Sequence, residues 1–186
     1  SCLQGDIAVP GDKSISHRAL MLGAIAKGSP RLDKILQSAD VNSTRKALEM
    51  LGVSIHDEGD DVVVEGRSGV GFKSPPGGLL DMGNSGTTTR LLLGILAGQP
   101  ITATLVGDES LSRRPMLRVT KLLQAMMIKP ATINGPRGIN FLPLTIQGGN
   151  LHGIEYIQTV PSAQVKSAFL LADLFADSKS AYEEKI

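Results

Sequence analysis

Four polar loops in this sequence carry cations and small residues directly before predicted helix starts. A helix N-terminus presents free N–H groups and the positive end of its dipole, and an arginine fork offers two donors to a carboxylate or a phosphate. In the fourth loop, GDESLSRRPM (107 to 116), Pro115 suits a first helical turn and would hold Arg114 near that helix start. The first three loops contain Lys13, Ser14 and Arg18; Asn84, Ser85, Gly86, Thr87 and Arg90; and Ser162, Gln164 and Lys166. Together these residues predict an anion-binding site.

Each loop, taken alone, also has an ordinary structural explanation. Lys13 and Arg18 could be solvated charges, and residues 84 to 88 could form only a capping turn. His17 has no second His, Cys or carboxylate at metal-ligand spacing, so we expect it to be structural and propose no metal site. The recurrence of four similar loops at predicted helix starts favours the binding interpretation.

The loops recur within a repeat of roughly 75 residues. Segments 9 to 28, 81 to 100 and 160 to 178 each join a polar loop to an apolar run, and 43 to 55 aligns with 118 to 130. Solenoid repeats span only about 20 to 50 residues, so each copy here is a subdomain-sized unit. Pseudo-symmetry would bring the loops together at one end of the domain.

Each copy combines helices and strands, which predicts an α/β fold of the mixed α+β type. The first copy is expected to contain a core helix over 18 to 26 capped by Ser14 or Ser16 with Gly28 as its left-handed end, a strand over 31 to 36, a helix over 41 to 51 capped by Asp40 and stopped by Gly52, and a hairpin of Ile55 with 62 to 65. The later copies are expected to contain helices over 85 to 97, 114 to 126 and 163 to 176, and strands at 101 to 106, Ile133 and 144 to 147. The three apolar helices are expected to be buried on most sides, in a pseudo-threefold domain with mixed sheets outside.

Composition restricts the class of protein. A chain of 186 residues favours one domain, and a net charge of +1 with 3% aromatic residues argues against nucleic acid as a partner. Cys2, the only cysteine, supports neither an intrachain disulfide nor a cysteine metal site. Neither a spanning apolar run of about 18 residues nor a signal peptide is evident, so we expect no membrane partner and a cytoplasmic location.

Four ordered segments resemble the 5-enolpyruvylshikimate-3-phosphate synthase family of enolpyruvyl transferases. They are PGDKSISHRAL (10 to 20), GNSGTTTRLL (83 to 92), GDESLSRRPM (107 to 116) and PSAQVKSA (161 to 168). The sister family that acts on UDP-N-acetylglucosamine has Lys-Asn where this chain has Lys13 and Ser14, and it uses a cysteine that this chain lacks. The resemblance implies transfer of an enolpyruvyl group from phosphoenolpyruvate to the 5-hydroxyl of shikimate 3-phosphate, with release of phosphate. This step belongs to the shikimate pathway to chorismate and aromatic amino acids, and it implies no cofactor.

The resemblance also implies a domain organisation. The family fold has two domains of three βαβαββ units each, arranged as an inside-out α/β barrel, and this chain would form one half of it. Residues 1–10 would be a strand leading from the hinge and the second domain, and residues 11–186 would be the N-terminal domain with an incomplete third unit. The second domain would be absent from this chain, which would be inactive alone and part of a monomer when full length.

Roles for individual residues follow from the same resemblance. Lys13 would donate a proton or stabilise charge at the phosphoenolpyruvate methylene carbon, and Arg114 would compensate the charge of its carboxylate and phosphate. Shikimate 3-phosphate would be bound by Lys13, Ser14, Arg18, Ser162, Ala163 and Gln164. Phosphoenolpyruvate would be bound by Lys13, Asn84, Gly86, Arg114 and Gln164. Ala163 stands where many relatives have serine, which leaves the backbone for any contact there. Glyphosate would compete with phosphoenolpyruvate, since a methyl group at Gly86 would crowd that inhibitor.

Two departures from the family pattern leave alternatives open. Met127 stands where Gly52 and the family have glycine, so a left-handed helix end there would be strained. The tail 176–186 does not continue the family's third unit, which indicates a truncated chain and leaves the native contiguity of 127–140 and 176–186 open. The alternative functions are a non-catalytic anion-binding module of the same fold and a transferase acting on a nucleotide sugar.

Overall fold

The chain alternates helices and strands throughout the computed structural model, which describes residues 4–185. The helices are Lys13–Ile25 (α1), Ala39–Met50 (α2), Gly86–Ala97 (α3), Leu117–Met126 (α4) and Ala163–Asp173 (α5), with 3-10 turns at Pro76–Gly78 and Leu111–Arg113. The strands are Arg31–Asp33 (β1), Ile55–Glu58 (β2), Asp61–Val64 (β3), Leu79–Asp81 (β4), Thr102–Val106 (β5), Thr132–Asn134 (β6), Pro136–Ile139 (β7), Leu144–Gln147 (β8), Glu155–Gln158 (β9) and Ala181–Glu184 (β10). Among these helices none is long and apolar enough to cross a membrane. The mixed α/β class expected from the sequence is confirmed.

Three sheets divide the strands according to the sequence repeat. Their orders are β1-β3-β2, β4-β5-β8-β6 and β10-β9. β3 pairs antiparallel with β1 and β2, just as β8 pairs antiparallel with β5 and β6. β4 pairs parallel with β5, and β9 pairs parallel with β10. The order β1-β3-β2 therefore returns as β5-β8-β6 in the second copy, and the parallel pair of β9 and β10 in the third copy corresponds to β4 and β5. The first copy has no counterpart of β4 among residues 4–185.

Helix α3 occupies the centre of the domain. Ten of its twelve residues are buried, including Leu91, Leu92 and Ile95. α2 packs against α1 and α3, and α4 packs against α3 and α5. α3 and α5 approach each other so closely that a Cβ atom at Gly94 would lie 2.3 Å from the carbonyl oxygen of Ala168. The backbones of these two helices are therefore in direct contact.

Several helix ends differ from the sequence predictions because the capping group is selected by its distance to a free N–H. α1 begins at Lys13, earlier than expected, and is capped by Asp12, whose carboxylate accepts from the N–H of Ile15 at 2.8 Å. Ser38, not Asp40, caps α2. The left-handed residue predicted at Gly52 is confirmed at φ 88°.

Other helix and strand ends also differ from the sequence predictions. Met127 has φ −73° and ψ 130°, so α4 ends in an extended residue and the predicted strain is absent there. α4 starts at Leu117, so Pro115 precedes its N-terminal cap and does not occupy the first turn. β1 stops at Asp33 because Lys34 takes a left-handed conformation at φ 49°. α1 ends at Ile25, one residue earlier than a Gly28 cap requires, although Gly28 is left-handed as predicted, at φ 87°.

The two chain termini differ from expectation in opposite ways. Residues 4–10 form no strand, and Ile7 and Val9 are exposed, because no neighbouring strand pairs with this segment; residues 1–3 of the predicted strand lie outside the described residues. The tail does continue the third copy, since β10 pairs with β9 and Tyr182 packs on Phe169 with ring centroids 5.1 Å apart. The prediction that the tail breaks the repeat was wrong.

The prediction of burial on most sides holds for α3 but is wrong for α1 and α5. Leu22 of α1 is 50% exposed, and Leu170 and Leu174 at α5 are 48% and 62% exposed. Leu22 and Leu170 border a shallow apolar hollow of about 220 Å³ between the two helices. The periodicity of an apolar helix cannot indicate which of its faces has a neighbour within the same chain.

Gly94→Ala should lower the free energy of unfolding by about 2 kcal/mol, because the new methyl group would meet a backbone carbonyl that cannot turn aside. Denaturant unfolding of both proteins would measure the change. Gly23→Ala in α1 is the matched control, since its Cβ atom would meet only the side chain of Val64 at 3.3 Å and should shift stability by no more than about 1 kcal/mol. Equal losses in the two variants would contradict the backbone-contact explanation.

Candidate anion-binding site

Arg18 joins the N-terminal turns of α1 and α5. Its Nε and Nη2 atoms donate to the Ser167 hydroxyl at 3.1 and 2.8 Å, and its Nη1 atom donates to the carbonyl of Ser14 at 3.0 Å. Nη2 also lies 3.5 Å from the carbonyl of Ala163, to which Ser167 donates at 2.7 Å. The guanidinium is therefore held by neutral acceptors beside two helix starts.

Lys13 points away from this cluster, toward α2. Its ammonium lies 3.1 Å from a carboxylate oxygen of Asp40, and both side chains are exposed. Exposed ion pairs contribute little free energy, so this contact leaves the ammonium free to exchange Asp40 for a bound anion.

Asn84 links a cation to an anion at the start of α3. Its carbonyl oxygen accepts from Arg114 Nη2 at 2.8 Å, and its amide nitrogen donates to Asp108 at 2.7 Å. The other oxygen of Asp108 accepts from the N–H of Leu111 at 2.7 Å, and this bond, followed by the bond from Asn84, lowers the pKa of the Asp108 carboxyl. The orientation of the Asn84 amide, and with it the position of Arg114, is fixed from both sides.

Arg90 and Gln164 connect α3 to α5. Arg90 donates to Gln164 Oε1 at 2.8 Å and to the carbonyl of Pro115 at 2.9 Å, while the Gln164 amide donates to the hydroxyl of Thr87 at 3.0 Å. Burial lowers the pKa of the Arg90 guanidinium, and the nearby charges of Arg114 and Arg118 lower it further. None of these three arginines forms a salt bridge within residues 4–185. The cluster therefore holds excess positive charge.

A cavity of about 180 Å³ lies between Arg90, Arg118, Ser162 and Gln164. Gly86 lies beside Arg90 and Arg114, since a Cβ atom there would lie 2.9 Å from Arg90 Nη1 and 3.6 Å from Arg114 Nη1. A larger hollow of about 690 Å³ lies elsewhere, beside Asp57, Asp60 and Asp61. Its carboxylates would repel an anion, so the smaller cationic cavity fits the predicted ligand better.

The structure brings most of the predicted site residues together through these contacts, but not all of them. The carbonyl of Ser14 accepts from Arg18, and Ser162 caps α5 by accepting from the N–H of Val165 at 3.3 Å. Lys13 is not part of this group, because it pairs with Asp40. Among residues 4–185, no group of three or more His, Cys, Asp or Glu side chains could hold a metal ion.

Sequence reasoning gave no role to two residues that hold the cluster together, Asp108 and Ser167, and it placed Arg90 in the anion-binding loops without assigning it to a substrate. Arg90 carried a signal, because it recurs one repeat after Arg18 in an equivalent loop. Ser167 lies one helical turn after Ala163, within the PSAQVKSA segment, but only the tertiary contact with Arg18 shows its function. Asp108 gave no signal, since its partners come from two different loops.

Asp108→Asn should weaken the dependence of the unfolding free energy on pH in the acid range. A carboxyl whose pKa is lowered by folding stabilises the protein above its unfolded pKa, near about 3.9, and loses that contribution as pH falls through the lower folded pKa. The wild-type protein should therefore lose more unfolding free energy than the variant as pH falls below about 4. Urea unfolding across this range would measure it, with Asp60→Asn in the exposed turn between β2 and β3 as control. If the unfolding free energies of wild type and Asp108→Asn fell equally with pH, the stabilising role of the hydrogen bonds to Asp108 would be contradicted.

The similarity of this chain to known proteins extends over its whole length. Residues 1–186 match the sequence family described as EPSP synthase (3-phosphoshikimate 1-carboxyvinyltransferase). A 3-phosphoshikimate 1-carboxyvinyltransferase from Geobacillus kaustophilus is 56% identical over 184 residues, which cover 99% of this chain and 42% of that protein. The protein of the same description from Bacillus subtilis is 47% identical over 182 residues, which cover 98% of this chain and 42% of that protein. The chain thus spans less than half the length of the curated relatives it matches.

A solved structure shows the same fold. EPSP synthase from Acinetobacter baumannii superposes with a TM-score of 0.89 at 42% sequence identity. The superposition covers 98% of this chain and 40% of that one. The mixed α/β arrangement described above is therefore shared with that structure over almost all of this chain.

Proposed function

The chain belongs to the EPSP synthase family, and on that basis we propose that the full-length protein transfers the enolpyruvyl group of phosphoenolpyruvate to the 5-hydroxyl of shikimate 3-phosphate. Phosphate is released in the same reaction. The observation that carries the proposal is the convergence of Arg18, Arg90 and Arg114 on the starts of α3 and α5, where neutral partners hold them. Both substrates carry phosphate and carboxylate groups, which such a cluster recognises.

The cluster supports two half-sites that share Gln164. On the acceptor side, Arg18 lies beside Ser14 and Ala163, close to the Ser162 cap, which suits the phosphate and ring of shikimate 3-phosphate. On the donor side, Arg114 and Asn84 lie beside Gly86, which suits phosphoenolpyruvate. The Gln164 amide contacts the donor-side helix α3, while its backbone adjoins Ala163. The two substrates would therefore meet across Gln164.

Lys13 supplies the proton in this proposal. The ammonium leaves Asp40 and protonates the methylene carbon of phosphoenolpyruvate, which makes C2 electrophilic. The 5-hydroxyl then attacks C2 and its proton passes to a phosphate oxygen, giving a tetrahedral intermediate that carries both the acceptor and the phosphate. The phosphate leaves with that proton, and the neutral Lys13 amine takes a proton back from the new methyl group, which forms the enol ether. Arg114 balances the negative charge of carboxylate and phosphate through these steps, and no redox change occurs.

Arg114→Lys should lower kcat/KM for phosphoenolpyruvate by about 100-fold, because lysine keeps the charge but loses the planar fork that reaches both Asn84 and the ligand. Steady-state kinetics of the full-length protein would measure it. Arg113→Lys is the matched control, since that neighbouring arginine pairs with Glu109 at the surface and should stay within about twofold of wild type.

The same assay separates the proposal from its alternatives. Absence of turnover with shikimate 3-phosphate, while the protein still binds that anion, would favour a non-catalytic module. Turnover only with a nucleotide-sugar acceptor would favour the sister activity. Glyphosate inhibition that competes with phosphoenolpyruvate and weakens in Gly86→Ala would support the donor half-site at Gly86.

The domain architecture is a second part of the proposal. We infer that this chain is one half of a two-domain inside-out barrel, built from three βαβαββ units of which the third is completed by the rest of the protein. α2 covers the seam between α1 and α3, and α4 covers the seam between α3 and α5. The seam between α5 and α1, marked by Leu22, Leu170 and Leu174, is open among residues 4–185. A sixth helix on this seam would complete the repeat.

Leu170→Glu in the full-length protein tests this architecture. If a sixth helix covers the seam, the new carboxylate would be buried among leucine side chains and should lower the free energy of unfolding by about 2 kcal/mol or more. Leu79→Glu is the control, because Leu79 is 51% exposed in strand β4, outside α1 and α5, and should change stability by only about 0.5 kcal/mol. Equal effects of the two substitutions in denaturant unfolding would show that the seam remains open.

A further inference from the structure

His17 is fully buried in α1, one helical turn after Lys13, and the reaction proposed above gives it no part. Its Nδ1 atom lies 2.7 Å from the hydroxyl oxygen of Thr44 in α2. That oxygen lies 2.8 Å from the hydroxyl oxygen of Thr88 in α3, and Thr88 donates to the hydroxyl of Ser85 at 2.7 Å. All four side chains are buried. A continuous chain of hydrogen bonds thus runs from α1 through α2 to the residue that caps α3.

The single proton on each hydroxyl orders this chain. Thr88 gives its proton to Ser85, so it must accept from Thr44. Thr44 has then used its only proton and must accept from Nδ1 of His17. The imidazole therefore carries its hydrogen on Nδ1 and a lone pair on Nε2.

The other ring nitrogen agrees with a neutral imidazole. Nε2 is buried, and no hydrogen-bond partner within residues 4–185 reaches it. A protonated ring would place a charged N–H there without an acceptor, which is unfavourable in a buried position. Burial accordingly lowers the pKa of His17; the nearby charges of Lys13 and Arg18 lower it further, and Asp40 opposes the shift.

We propose that His17 is a positioning residue for the phosphoenolpyruvate half-site, acting through Thr44 and Thr88 on Ser85. This inference rests on the proposed function. Ser85 lies between Asn84 and Gly86, and its hydroxyl accepts both the N–H of Thr88 at 3.1 Å and the hydroxyl proton of Thr88. The Nδ1–H donor of His17 determines the direction in which each hydroxyl of this hydrogen-bonded series donates. It therefore also determines the orientation of the Ser85 hydroxyl, which caps α3 and holds the loop that contains Asn84 and Gly86.

The location of His17 makes the proposal specific. α1 carries Ser14 and Arg18 of the shikimate 3-phosphate side as well as Lys13, so a merely structural loss at position 17 would raise the Michaelis constants of both substrates. A positioning role through the hydroxyl chain instead raises the Michaelis constant of phosphoenolpyruvate selectively. The two Michaelis constants therefore distinguish the roles.

Steady-state kinetics of the full-length protein give the first test. His17→Ala and Thr44→Val should each raise KM for phosphoenolpyruvate by about tenfold while KM for shikimate 3-phosphate changes by less than about twofold. Because both substitutions interrupt the same chain of hydrogen bonds, KM for phosphoenolpyruvate in the double variant should be no higher than in either single variant. His17→Asn, whose side-chain N–H can replace Nδ1–H, should recover most of the loss.

Ser16→Ala is the matched control in α1. Ser16 is a buried polar neighbour that donates to the carbonyl of Asp12 and accepts from the N–H of Leu36, outside the hydroxyl chain. It should lower stability without a selective rise in KM for phosphoenolpyruvate. A rise in KM for shikimate 3-phosphate as large as that for phosphoenolpyruvate in His17→Ala, or additive effects in the double variant, would overturn the proposal.

Nitrogen-15 NMR of the imidazole and of the Asn84 side-chain amide gives a test that needs no turnover. The wild-type ring should show Nδ1 protonated and Nε2 unprotonated, and Thr44→Val should change both this signature and the Asn84 amide resonance. An Nε2–H ring in the wild type, or an Asn84 resonance unaffected by Thr44→Val, would overturn the inference. If the wild-type protein showed no turnover, the proposed function would be refuted. The NMR result would still decide whether His17 positions the loop.

Discussion

The close approach of α3 and α5 at Gly94 determines where the rest of the site can be. With no side chain at this position, the α3 backbone lies against the carbonyl of Ala168. Both helices begin at the same end of the domain, so this contact places Gln164 within reach of Arg90 and Thr87. A wider separation would break these hydrogen bonds and enlarge the cationic cavity. Packing in the core thus sets distances at the site, since close-packed interiors transmit small displacements.

Neutral partners explain how three arginines coexist at one end of the domain. Arg18 is held by Ser167 and backbone carbonyls, Arg90 by Gln164 and the carbonyl of Pro115, and Arg114 by Asn84. Such acceptors satisfy the donors and fix the guanidinium planes without cancelling the charge. Like charges at close range repel one another, so the arrangement lowers stability in the absence of an anion. A bound phosphate or carboxylate would relieve the repulsion, which links folding energetics to ligand binding.

The hydroxyl chain of His17, Thr44, Thr88 and Ser85 joins the first two copies of the repeat in a different way. It uses buried, neutral, directional bonds, whereas the arginine cluster uses charge near the surface. Lys13 and His17 lie on the same side of α1, yet one pairs with an exposed carboxylate and the other with a buried hydroxyl. The helix therefore presents a movable charge to the site and a fixed donor to the core.

The sequence by itself determined the repeat, the kind and order of most elements, the hairpin after Gly52 and the residue types of an anion site, because these depend on local periodicity, turn chemistry and charge. Only the tertiary structure decided that Asp12 and Ser38 are the caps, that Arg18 pairs with Ser167 across 149 residues, and that α1 and α5 leave one face open. It also revealed the strand at 181–184 and the partners of His17. These features depend on distances between residues far apart in the chain, and local sequence patterns carry no information about which distant group comes within hydrogen-bond reach.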